Sequence, residues 1–296
     1  MSEQHADFRR GLYFILLSAL GFAFMNLMIR LAGDLPSMEK SFFRNLVALL
    51  VAGLSFFHRP PKVGRLGAAN WGLLVLRSSA GLVGIICNYY ALSHLRLADA
   101  SVLNKLSPFF VLIFSAVLLK ERIHWKQLAF ICLAFGGVLL VSRPGGALLP
   151  PLPLFMGILG GVMAGFAYTM VRLLSLRAVP GNFIVFFFSL FSTLALLPVM
   201  LFDYHPMDAW QFCCLLLAGI GASLGQFGIT YAYRYAPARE ISIYDYSSIA
   251  FTALLALLVL HEQPPLQSFF GYLIIFAASY GNFAYKRRLS KEAQYG

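Results

Sequence analysis

D-A-S-V-L-N-K-L-S-P-F-F-V-L-I-F-S-A-V-L-L-K-E, residues 99–121, and E-I-S-I-Y-D-Y-S-S-I-A-F-T-A-L-L-A-L-L-V-L-H-E, residues 240–262, are two versions of one pattern. Each opens on an acid, carries serine at matching places (Ser101 with Ser242, Ser107 with Ser248), runs through an apolar stretch and closes on glutamate. A second echo pairs Gly21-Phe22-Ala23-Phe24 with Gly165-Phe166-Ala167-Tyr168. The chain therefore reads as a duplication, with residues 1–148 as the first copy and 149–296 as the second.

What the copies are follows from composition. Of 296 residues, 59% are hydrophobic and 12% charged, against about 25% charged in an ordinary soluble domain. The apolar residues come in blocks without charge, at 11–29, 144–171, 178–202, 209–233 and 264–285. Each is long enough to cross a hydrocarbon core about 30 Å thick. The expected fold is all-α and integral to the membrane, with ten transmembrane helices near 11–32, 36–57, 69–94, 99–119, 124–142, 152–175, 182–202, 209–235, 240–260 and 266–286. Five helices per copy is an odd number, so the second copy enters the bilayer upside down, and inverted repeats of this kind place a transporter's site at the midplane.

A net charge of +11 raises nucleic acid as a partner, but the bilayer accounts for it. With the N-terminus in the cytoplasm, Lys and Arg from Arg9, Arg10, Arg59, Lys62 and Arg65 to Lys286, Arg287 and Arg288 fall on the cytoplasmic side, while only Lys40, Arg96 and Arg143 fall outside. The positive-inside rule then puts both termini in the cytoplasm of a multi-pass cytoplasmic-membrane protein. Cys87, Cys132, Cys213 and Cys214 lie in apolar blocks without C-x-x-C spacing, so they read as small buried side chains, and neither a metal nor a cofactor is expected.

A charge at a helix centre costs about 2.5–3.5 kcal/mol on insertion scales, so such residues pair, face water or work. Arg77, Lys105 and Asp245 stand out, and Asp245 matches Asn104 in the repeat. Ser101, Asn104, Lys105 and Pro108 share one helical face, as do Tyr244, Asp245, Ser248 and Thr252. These stripes could wall a cavity in which Lys105 takes an anionic group and Asp245 a cationic group or a proton. Alternatively, the two neutralise each other and hold the halves together. Pro108 should kink its helix beside Lys105, as a gate or as a packing feature. Arg77 either meets an anionic substrate or snorkels to the cytoplasmic interface, and Arg30 and Arg44 share that ambiguity without being assigned. Asn88, Tyr168 and Gln226 join the candidate lining because they sit mid-span.

These residues resemble the drug/metabolite transporter superfamily, in its EamA-type ten-helix branch. The resemblance rests on F-F-R-N-L-V-A at 42–48, N-Y-Y-A-L-S-H-L at 88–95, A-D-A-S-V-L-N-K-L-S-P-F-F at 98–110 with L-L-K-E-R at 118–122, and G-G-V-L-L-V at 136–141. It implies two intertwined inverted repeats, a cavity among helices one, three, four, six, eight and nine, and helices five and ten at the periphery. Ile249 stands where the first copy has Pro108, so two gates built on that position would differ. The expected function is a carrier exporting a small amino-acid-like, zwitterionic or anionic metabolite by alternating access, with proton coupling open and the assembly a monomer or homodimer. The rival readings, a membrane enzyme or a structural membrane protein, lack a catalytic motif in the first case and an extramembrane domain in the second.

Overall fold

The computed structural model describes residues 2–58, 67–95, 100, 103–120, 124–142, 150–260, 270–278, 280–282 and 284–285. Asp99, Ser101, Glu121, Glu262 and the basic residues Arg59, Lys62, Arg65, Arg96, Arg143 and Lys286–Arg288 lie outside them, so the parts of the repeat match and of the charge asymmetry that rest on those residues do too.

The chain is all-helical over the described residues and forms a membrane bundle. Its helices are α1 (Ser2–Leu31), α2 (Ser37–His58), α3 (Ala68–His94), α4 (Ser107–Leu118), α5 (Trp125–Ser142), α6 (Pro151–Leu176), α7 (Gly181–Phe202), α8 (Ala209–Tyr235) and α9 (Ser247–Leu260). The described helical residues between 270 and 285 form α10. Among the described residues seven helical stretches, including one that enters α9 from Ser242, are long and apolar enough to cross a bilayer. The shorter α4, together with α5 and α10, occupies the places of the fourth, fifth and tenth expected spans. Large apolar side chains such as Leu54, Phe57, Leu258 and Phe276 point outward, which lipid tolerates and water does not.

Packing follows a two-fold pattern. α1 lies on α8 and α3 on α6, α2 pairs with its counterpart α7, and α9 meets α1 as α4 meets α6. Small residues bring the backbones together where α1 crosses α8 and α3 crosses α6, as close packing in lipid favours. A Cβ on Gly21 would sit 2.7 Å from the Gly225 nitrogen, and one on Gly160 would sit 3.2 Å from the Gly84 oxygen. Ser18 Oγ donates to the Gly225 oxygen at 2.8 Å. α5 is joined to α10 in the same way, with a Gly137 Cβ position 2.8 Å from the Gly271 oxygen. Cys87 and Cys214 are buried, but Cys132 and Cys213 are exposed. The expectation that all four are buried is therefore corrected: two face the outside of the bundle, where a weakly polar thiol is tolerated.

The fourth and ninth spans are not continuous helices. In the first half the helix breaks at Lys105–Leu106 and restarts as α4. Pro108 stands in the first turn of α4, where a missing N–H costs nothing and the fixed φ favours helix initiation. The expected mid-helix kink is thus a restart. In the second half one turn, Ala238–Ile241, gives way to a 3-10 segment, Ser242–Tyr246, before α9 begins. There Ser247 Oγ donates to the Tyr244 oxygen at 2.6 Å and Ser248 Oγ to the Asp245 oxygen at 2.9 Å. Hydroxyls bonding to local carbonyls stabilise such departures from α geometry. The two halves break at equivalent places by different means.

Candidate functional site

α6 holds the broken segment of the first half. Gly161 would place a Cβ 2.7 Å from the Leu103 oxygen, and Gly165 would place one 3.0 Å from the Ser107 oxygen. Held there, Lys105 reaches across to the second half, where Nζ meets Asp245 Oδ2 at 3.2 Å and the Asp245 backbone oxygen at 3.3 Å. The two side chains are 13% and 7% exposed, so this is a buried ion pair closed on itself. Asn104 is half-buried next to it, and Ser248 is buried with its hydrogen spent on Asp245. Tyr244 takes another direction: its ring meets Phe8 of α1 at 6.4 Å and its hydroxyl faces Asn282 of α10. The expected stripe of Tyr244, Asp245 and Ser248 assumed 3.6 residues per turn, and the 3-10 segment has about 3.0.

A second polar centre lies among α2, α3, α7 and α8. Arg77 is 1% exposed and heads the largest fully buried side chains among the described residues. Snorkelling is therefore corrected. The guanidinium runs inward, lies 3.7 Å over the Phe188 ring, and donates from Nη2 to Gln226 Oε1 at 2.9 Å. Its Nε and Nη1 are buried without a hydrogen-bond partner among the described residues. Gly81 makes room for this arrangement, since a Cβ there would sit 2.9 Å from Phe188 and 3.3 Å from Arg77 Nη1.

Arg44 of α2, left unassigned by sequence, is 2% exposed. Its Nε faces Met25 Sδ at 3.3 Å and its Nη1 faces Asn45 Oδ1 at 3.2 Å. Tyr168 of α6 stands within electrostatic range of Arg77, Arg44 and Asp245, and its ring meets Tyr233 at 5.9 Å. Among the described residues the contacts of the two arginines are amides, a thioether and an aromatic face, all uncharged. Asn88 is not part of this centre. It is half-buried beside Gly160, eleven residues from Arg77 and so about 16 Å along the helix. The sequence signal for Arg44 was Arg44-Asn45 inside an apolar span, a polar pair with no acid within a turn beyond it.

An all-helical bundle with buried charge at its centre and lipid-compatible side chains outside is a multi-pass membrane protein of transporter type. The chain belongs to the EamA-like transporter family, whose profile matches twice, over residues 9–143 and 151–284. It is 30% identical over 276 residues to the pseudopaline exporter CntI of Pseudomonas aeruginosa, covering 91% of this chain and 94% of that one. It is 22% identical over 283 residues to the S-adenosylmethionine uptake transporter of Rickettsia prowazekii, covering 94% of each. A solved crystal structure superposes with a TM-score of 0.81 at 17% identity, over 94% of this chain and 98% of that one, which bears on the fold. The protein is a membrane transporter for a small molecule and not an enzyme.

Proposed function

We propose that the chain is a secondary carrier of the cytoplasmic membrane, both termini inside, that exports a small metabolite with an anionic group. The observation that carries this reading is Arg77, a cation out of water whose Nε and Nη1 are unmatched among the described residues. Burying polar groups without partners is costly, and a carboxylate or phosphate would supply charged acceptors for them. Arg44 adds positive potential, while Gln226 and Tyr168 orient the group. The two repeats, 1–148 and 149–296, move against each other around this centre. The name of one relative speaks of export and that of another of uptake, so export rests on this chain being nearer in identity to the exporter.

In this reading Lys105 and Asp245 are exchangeable partners at the crossing of the broken segments. The pair is closed in the structure and opens when a zwitterionic substrate offers each residue an opposite charge. Asn104 and Ser248 line that opening and Pro108 defines where the first half pivots. Tyr244, turned toward Phe8 and Asn282, and Asn88, set beside Gly160, have no part in it. The test is a thermal-shift screen of the purified full-length protein against carboxylates, phosphates, amino acids and amines, since a ligand of the native state stabilises it by mass action. Carboxylates, phosphates or amino acids should stabilise the wild type and not Arg77→Gln. Stabilisation by amines alone would overturn the reading.

A further inference from the structure

Neither polar centre accounts for Glu39. It stands in the first turn of α2 and is 2% exposed. Oε2 accepts from the His205 backbone N–H at 3.4 Å and faces His205 Nδ1 at 3.7 Å, while Oε1 is buried with no partner among the described residues. Glu39 forms part of the wall of a cavity of about 210 Å³ between α2, α3 and α7, with Asp203, Tyr90, Ile86 and Met200. His205 is about half exposed and so connects the buried carboxylate to the aqueous face at this end of the bundle.

We propose that Glu39 is a proton-binding site of this transporter, loaded from the aqueous face through His205. The assignment deepens the carrier reading by placing the proton here instead of on Asp245. Asp245 already has Lys105 as its counter-charge, and Asp203 is exposed. Among the described residues Glu39 alone combines burial with an unmatched carboxylate oxygen, a group costly to hold as an anion and far less so as a neutral acid. The neighbouring charged and titratable groups are few. On α2, Lys40 turns away, its Nζ donating to the Gly33 oxygen at 2.6 Å. α3 presents Tyr90, with the His94 ring stacked on it at 4.1 Å. α7 ends at Asp203, and Asp208, which caps α8, is engaged with Gln211. The proton is favoured over a metal cation because the remaining wall is largely apolar, whereas a hard cation takes about six oxygens. An imidazole at the water's edge suits proton relay.

The experiment is an infrared titration of the full-length protein in lipid, reading the C=O stretch of protonated carboxyl groups as the pH is lowered. A band that grows on acidification should be lost in Glu39→Gln, shifted in midpoint in His205→Ala, retained at a new midpoint in Glu39→Asp, and unchanged in Asp245→Asn. Retention of the full band in Glu39→Gln overturns the proposal. Displacement of the band at fixed pH by sodium or tetramethylammonium chloride also overturns it, because the site would then hold a cation. The titration uses no substrate, so a failed anion screen leaves it intact. Loss of the Glu39 band likewise leaves anion binding at Arg77 untouched.

Discussion

The two buried polar centres solve the same electrostatic problem in opposite ways. Lys105 and Asp245 bring one charge of each sign to the crossing of the broken segments and cancel. Arg44 and Arg77 bring two charges of one sign to a space where their contacts are uncharged. A neutral centre in a low-dielectric interior is complete by itself, whereas a cationic one is complete only with something else bound. In the reading proposed above, the first centre opens only when a zwitterion replaces both partners, and the second stands ready for an anion.

The largest expected effect breaks that contrast at its open end. Arg77→Gln should lower affinity for any anion found in the screen by about a hundredfold or more, as truncating a buried charge-paired group costs about 2–5 kcal/mol, with the thermal midpoint of the ligand-free protein little changed. Arg77→Lys should fall between the two, keeping the charge but losing the planar fork. Equal affinity in wild type and Arg77→Gln would place the anion elsewhere.

The closed centre is tested by a cycle. Lys105→Met and Asp245→Asn should each destabilise the fold by about 3–5 kcal/mol, because either leaves a buried charge alone. The double variant should regain most of that stability and yet not transport in reconstituted vesicles. Regained transport in the double variant would show the pair to be structural alone and would remove both residues from the substrate path.

A smaller effect probes the glycine that supports Arg77. Gly81→Ala sets a methyl 2.9 Å from the Phe188 ring, so Phe188 or the guanidinium must shift, at a cost of about 1–3 kcal/mol. Anion affinity should drop along with stability, measured by thermal shift with and without ligand. The smallest effects compare the two breaks. Pro108→Ala should change stability by less than about 1 kcal/mol, since the proline starts a helix and bends none. Ile249→Pro, at the matching place in α9, should likewise be tolerated, where a helix-interior proline costs about 3 kcal/mol. A large loss on Ile249→Pro would mean that α9 begins earlier than Ser247.

The apolar spans were legible from the sequence because block length in one dimension is what a bilayer reads. Lys105 and Asp245 were legible as a pair because the repeat itself set them at matching depths. The fate of Arg77 was not. Two turns from a helix end, an arginine can reach out or in, and the choice is made by Gln226, 149 residues away, and by Phe188. The breaks were half-visible: Pro108 marks a departure from the helix, but a proline reads alike as an interior kink or as a first turn. In the second half the break is held by serines that pattern alone does not separate from ordinary helical ones. Glu39 was hidden because an acid at a span's end reads as solvated until the cavity behind it is seen.

The glycines of α6 give the contact with the first broken segment a distinct mechanical character. At Gly161 and Gly165 the segment rests on bare backbone, with carbonyl oxygens 2.7 and 3.0 Å from where a Cβ would be. Such contact is held by dispersion over a small area, and a gap of about half an ångström already forfeits a quarter of it or more. The side-chain atoms nearest those two positions are the Cβ atoms of Leu106 and Phe110, at 3.1 and 2.6 Å, so these too are contacts of short range. At these points the seam behaves as a latch and not as a spring: firm when shut, and with little restoring force once it has parted.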